Sequence, residues 1–144
     1  TYIFQEFIEG QEFGFDIVND LDGCYRAVLA RRKIAMRGGE TDIAETLDPT
    51  EYSSLAKDLS RALQHQGVMD VDAIEHKGRM FVLDLNIRFG GGYGFSHLSG
   101  ADVPAALIRW AEGKPIRAHW LAAQTGITGG RISQILRIHG REGR

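Results

Sequence analysis

At 144 residues, with 43% hydrophobic and 25% charged side chains, the chain has the length for one buried core and the polarity of an ordinary globular protein. A formal charge of -2 gives no global pull towards nucleic acid or an anionic membrane, so neither is expected as a partner. The single cysteine, Cys24, excludes an internal disulfide framework, and no apolar run approaches the roughly 20 residues of a membrane helix; a cytoplasmic location is expected.

The chain opens on Thr1 inside a strand-like run, without an initiator methionine, and reads as the C-terminal part of a longer protein. Residues 2–8 are β-rich and end at Glu9 and Gly10. Residues 12–18 alternate around Phe13, Phe15 and Ile17, a turn cluster follows at residues 19–23, and residues 25–29 read as the returning strand, so an antiparallel meander is expected. Residues 31–47 lose all periodicity. Their cationic triplet, Arg31, Arg32 and Lys33, suits either a solvated loop or a mobile flap that brings cations to a phosphate.

Asp48, Pro49 and Glu51 spell a helix start: a capping carboxylate, a proline at the first helical position, and a glutamate placed for a capping box. Tyr52, Leu55, Ala56, Leu59, Ala62 and Leu63 then fall at helical spacing, and Gly67 is the expected stop. Residues 68–75 read as a strand with Met69, Val71 and Ala73 on one face and Asp70 and Asp72 on the other. A three-residue hairpin loop over residues 76–78 would pair Glu75 with Arg79 and Asp70 with Asp84, and set Asp72 diagonally near Asp84.

Residues 81–89 alternate without a break. Phe81, Leu83, Leu85, Ile87 and Phe89 point one way; Val82, Asp84, Asn86 and Arg88 point the other. Carboxylates crowded on one face cannot all stay ionised cheaply, so either some protonate or a cation sits among them. Oxygen donors from carboxylates and an amide suit a hard ion such as Mg²⁺, and the alternative is a solvated hairpin face partly neutralised by Arg88. Gly90, Gly91, Gly92 and Gly94 allow close backbone approach to an anion. Asp102 then caps a helix through Ala111 that ends at Gly113.

These residues resemble a known family. Gly67, Asp70 and Asp72, followed by Asp84, Asn86 and Arg88 at strand spacing, are similar to the C-terminal lobe of ATP-grasp enzymes, in the carbamoyl-phosphate-synthase-like branch. The run from Gln5 to Glu12 resembles the family's lobe-linking segment, and the likeness covers residues 2–116. The resemblance implies that backbone groups of Glu6 and Ile8 meet adenine and that Glu12 takes the ribose hydroxyls of ATP. It implies that Asp72, Asp84 and Asn86 hold Mg²⁺ or Mn²⁺, and that Arg88 stabilises the transferred phosphoryl group. It further implies a small carboxylate substrate activated as an acyl phosphate, an amine or similar nucleophile, and a second lobe upstream. Asp84 stands one methylene short of the family's usual Glu, and Asp70 stands where relatives often have an uncharged or cationic residue.

The tail, residues 119–144, has two readings. Residues 121–137 resemble a basic helix-turn-helix, with Gly126 at the turn and Arg131 and Arg137 for phosphates. Alternation of Ile132, Gln134, Leu136 and Ile138 reads instead as a closing strand, which is the expectation adopted; Gly129 and Gly130 would weaken a helix start. The expected architecture is an α+β domain with a mostly antiparallel sheet and helices packed on one face, residues 1–118, followed by an extension over 119–144. The expected function is an ATP-dependent ligase lobe, inactive alone; a non-catalytic binding module and a DNA-binding tail are the alternatives.

Overall fold

The computed structural model describes Tyr2 and residues 4–132. Six strands form one sheet: β1 (Gln11–Asn19), β2 (Tyr25–Arg37), β3 (Glu40–Leu47), β4 (Val68–His76), β5 (Arg79–Asn86) and β6 (Thr128–Gly130). Their order in space is β5-β4-β1-β2-β3-β6, and every pairing is antiparallel. Among the described residues three α-helices accompany them: α1 (Ser53–Leu63), α2 (Tyr93–Leu98) and α3 (Val103–Ala111). The α+β class with an antiparallel sheet is as expected.

β1 is central, flanked by β2 and β4, and its period-two sequence gives the sheet two different faces. Phe13, Phe15 and Ile17 join Val28, Ala30, Met69, Val71 and Ala73 in the larger core, which α1 covers through Leu55, Ala56 and Leu59. Each large side chain buried there contributes about 1.5–3 kcal/mol. On the opposite face only one end is apolar, where Val18, Leu29 and Val68 meet Val103, Leu107 and Trp110 around α3. The helices thus divide between the faces, a refinement of the one-sided packing expected. Along the middle of the second face stand Asp16, Arg31, Asp70 and Asp72.

Asp48 caps as expected, accepting from Thr50 N at 2.9 Å, but the turn it opens is a 3₁₀ turn, Pro49–Tyr52, before α1 begins. α1 ends at Gln64, left-handed at φ 47°, three residues before the glycine expected to stop it. α3 begins where Asp102 accepts from Ala105 N at 3.2 Å.

Three expectations need correction. The described residues before β1 form no strand, because both sides of β1 are already taken by β2 and β4; Tyr2, Phe4 and Phe7 are 92%, 96% and 87% exposed. Residues 31–47 are not a loop but the body of a long β2–β3 hairpin turning at Gly38 and Gly39 (φ 59° and 82°). Register shifts between Lys33 and Met36 erase the alternation that would have revealed it.

The β4–β5 register is the third. The turn is two residues, Lys77 and Gly78, both at positive φ, so His76 pairs with Arg79 and the register moves by one. A bulge at Leu83 moves it by one more. Two shifts restore the parity of the faces, so Asp72 lies directly opposite Asp84 and Asp70 opposite Asn86. Before the bulge the parity is inverted: Phe81 pairs with Ile74, on the face of the acids, while Met80 reaches the large core.

The tail up to residue 132 forms one turn and one short strand. Ala118–Leu121 is a 3₁₀ turn and β6 adds to the edge of β3, with Thr46 N donating to Ile127 O at 3.0 Å and Gly126 N to Thr46 O at 2.7 Å. No α-helix lies between residues 119 and 132, so the first helix of a helix-turn-helix is not formed. The strand expected over residues 132–138 falls almost wholly outside the described residues.

Candidate functional site

The charged face is built by strand register. Asp16 on β1 lies opposite Asp70 on β4, and Asp70 opposite Asn86 on β5. In the neighbouring row Arg31 lies opposite Gly14, Gly14 opposite Asp72, and Asp72 opposite Asp84. Carboxylates placed directly opposite one another are destabilising unless a cation joins them.

Arg31 is that cation. Its side chain crosses the gap left by Gly14, and Nη1 reaches Asp16 Oδ2 at 2.5 Å while Nη2 reaches Asp70 Oδ1 at 3.0 Å. Arg31 and Asp16 are 1% and 0% exposed. A Cβ on Gly14 would come within 2.8 Å of Arg31 Nε, and one on Gly92 would collide with the same guanidinium from above. One on Gly90 would collide with the Asp70 carboxylate. The glycine run, read from sequence as a ligand loop, is therefore also the lid on a buried ion cluster. Beyond it the chain folds into α2, and Ser96 Oγ donates to Asp16 Oδ2 at 2.8 Å. Among the described residues Asp16 Oδ1 and Arg31 Nε are buried without a partner.

Towards solvent the cluster opens. Burial pushes the Asp70 carboxyl above its usual range, with Arg31 and Arg88 opposing and Asp16 and Asp72 adding to the shift. Arg88 Nη1 lies 3.6 Å from Asp70 Oδ2 and its side chain is 58% exposed. Lys33 Nζ lies 2.7 Å from Asp72 Oδ1 and 3.6 Å from Glu12 Oε2. Asp84 is held on β5 by Leu85 N at 3.0 Å and by Asn86 Nδ2, which donates to its Oδ2 at 2.7 Å. Arg131 pairs with Glu40 and donates through Nη2 to Gly91 O at 2.5 Å, tying the β2–β3 turn to the glycine run. Arg31, Lys33, Asp70, Asp72, Arg88 and Arg131 line a cavity of about 180 Å³, completed by Glu40, Thr41, Met36 and glycines of the β2–β3 turn and the run after Arg88; Asp84, Asn86 and Glu12 lie outside its lining.

The family model described as "ATP-grasp in the biosynthetic pathway with Ter operon" matches residues 1–135. The chain belongs to this ATP-grasp family. The ATP-grasp resemblance read from the strand residues and the linking segment holds. No curated protein sequence matches it closely enough to count as a relative.

Among solved structures, this ATP-grasp chain is similar in fold to the biotin carboxylase domain of a thermophilic 2-oxoglutarate carboxylase bound to bicarbonate, with TM-score 0.65, 17% identity, and coverage of 85% of this chain and 30% of that one. A Campylobacter jejuni biotin carboxylase in a beta-gamma-ATP complex gives TM-score 0.62 and 18% identity, covering 83% of this chain and 29% of that one. A Rhizobium etli pyruvate carboxylase gives 0.63 and 15%, covering 78% and 11%. The chain spans less than a third of the length of each.

Within the ATP-grasp lobe, the residues singled out from sequence fall into two groups. Asp72, Asp84, Asn86 and Arg88 share the charged face, and Glu12 joins them through Lys33. Glu6 and Ile8 lie outside the sheet, in the segment before β1, Glu6 exposed and Ile8 half-buried. Among the described residues no three His, Cys, Asp or Glu side chains come close enough together to hold a metal ion by themselves. The donor set is two opposed carboxylates and an amide, and this suits a hard ion that keeps several waters and shares substrate oxygens.

Sequence reasoning missed Asp16 and Ser96, and it named Arg31, Lys33 and Arg131 only as cations for a phosphate, not as partners of these carboxylates and backbone groups. Arg31 had a signal: β2 continued past residue 29 from the turn at residues 20–24 brings it opposite Gly14 on β1.

Proposed function

We propose that this chain is the nucleotide- and metal-binding lobe of an ATP-dependent ligase that activates a small carboxylate as an acyl phosphate for attack by an amine or similar nucleophile. The observation that carries the reading is the pairing of Asp72 with Asp84 on a face shared with Lys33 and Arg88, beside a polar cavity of about 180 Å³, in a chain of ATP-grasp family. Asp72, Asp84 and Asn86 would hold Mg²⁺ or Mn²⁺, which neutralises phosphate charge and orients the nucleotide. Arg88, exposed at the cavity wall, meets the negative charge of the phosphoryl group or of the acyl phosphate.

Glu12, 40% exposed at the start of β1, takes the ribose hydroxyls, and backbone groups of Glu6 and Ile8 meet the adenine edge. Lys33 holds Asp72 and Glu12 on one face and supplies positive charge to the cavity. A second lobe of the full-length protein completes the site; the short span of this chain against its structural neighbours supports that. Asp84→Ala in the full-length protein abolishes ADP formation from ATP and Mg²⁺ and leaves the circular dichroism spectrum unchanged. Undiminished ADP formation would sink the assignment.

A further inference from the structure

Asp70 is the hinge of the charged face, between the buried Arg31 and the exposed Arg88. We infer that Asp70, anchored by the buried Arg31, is a positioning residue that sets the direction of Arg88; this rests on the reading of Arg88 given above.

The cluster is a chain of alternating charge running outward: Asp16, Arg31, Asp70, Arg88. Exposure of the side chains rises along it, from 0% and 1% at the buried pair, through 11% at Asp70, to 58% at Arg88. A purely architectural triad would be complete at Asp16–Arg31–Asp70. Two carboxylates on one guanidinium leave one negative charge, and the oxygen of Asp70 that Arg31 does not use faces Arg88 at 3.6 Å. That charge is the ion pair available to Arg88 on an otherwise open surface; its remaining hydrogen bond is to the adjacent Phe89 O at 3.0 Å.

Asp70 is itself immobilised from three sides. β1 and β5 pair with its strand, Arg31 holds Oδ1, and the backbone at Gly90 lies directly over its carboxyl group. Arg31 has no freedom to release it, since Gly14 and Gly92 enclose its guanidinium. A fixed carboxylate thus orients a flexible arginine at the wall of the cavity. Arginine presents donors in a planar fork, so its direction and not only its charge decides what it binds.

The test uses the full-length protein. Asp70→Asn keeps the volume and an oxygen for Arg31 but removes the charge facing Arg88. In ¹⁵N spectra of arginine side chains, assigned with Arg88→Ala, the Arg88 signal of the parent protein is that of an ordered guanidinium. In Asp70→Asn it moves to the position of mobile arginines while that of Arg31 stays. An unmoved Arg88 signal overturns the inference.

ADP formation from ATP and Mg²⁺ supplies the second readout. Asp70→Asn lowers kcat by roughly tenfold to a hundredfold, as misplacing a charge-stabilising group does, with KM for ATP within about twofold. Combining it with Arg88→Ala gives no further loss. Multiplying losses would mean that Asp70 acts independently of Arg88, against the inference. Arg88→Ala without effect on ADP formation would instead refute the catalytic reading of Arg88, while the spectra still decide its orientation.

Discussion

Two buried polar clusters sit on the same sheet, and they behave oppositely. At the end of β1, Asn19 is wholly buried; its Oδ1 accepts from Ser60 Oγ at 2.7 Å, and its Nδ2 donates to His65 O at 2.8 Å and Gly23 O at 3.0 Å. The ring of His65 reaches Ile17 O at 3.2 Å. Every group there is satisfied, and none is required to carry charge. Three residues earlier on β1, Asp16 begins a cluster of formal charges, with unpartnered buried atoms and one end open to a cavity. Burial alone therefore does not mark a site. Surplus charge directed outward does, because it costs stability and needs a reason beyond the fold.

Breaking the charged cluster gives the larger effect. Arg31→Met leaves Asp16 and Asp70 buried without their cation and costs about 3–5 kcal/mol. Hydrogen exchange of the β1 and β4 amides in the full-length protein reads this locally. A loss below 1 kcal/mol would mean that the cluster is not stabilised by Arg31. Asn19→Ala removes neutral bonds only and costs about 1–3 kcal/mol, left as unsatisfied carbonyl and hydroxyl groups. It leaves ATP affinity unchanged once folded protein is normalised; a loss of affinity would erase the distinction between the clusters.

The mildest probe of the neutral cluster is pH. Burial holds the His65 imidazole below its ordinary value of 6.5, opposed by its bond to the Ile17 carbonyl. The unfolded chain takes up the proton first, so this contribution is intact above about pH 6.5, where both states are neutral, and is lost as pH falls through that value. His65→Gln flattens the slope of stability between about pH 7 and 5; an unchanged slope would show that other groups set it. The Asp70 carboxyl has the opposite sign. Raised above the carboxylate range, it favours the folded state below its unfolded value and loses that contribution as pH rises through the folded one.

The elements with clean local chemistry were legible in the sequence. Asp48 and Pro49 announced the turn into α1, Asp102 announced α3, and alternation revealed β1 and β4. So were Asp72, Asp84, Asn86 and Arg88, since period two carries them to one face whichever even register applies. What lay hidden depended on departures from regularity. Bulges near Lys33 and at Leu83 interrupt the pattern, and Arg31 looked like one of three solvated cations because nothing local says that it crosses Gly14. The glycines after Arg88 were read for a ligand. Gly90 and Gly92 first serve to close over Asp70 and Arg31, a contact between distant parts of the chain.

The division between a working face and a structural one is tested most directly by titrating Mn²⁺ with ATP into the full-length protein and following paramagnetic broadening of backbone amide signals. ATP-dependent broadening is expected to centre on Asp72 and Asp84, to reach Lys33 and Arg88, and to spare Asn19 and His65. Broadening centred on the Asn19 cluster, or none that depends on ATP near Asp84, would contradict that division.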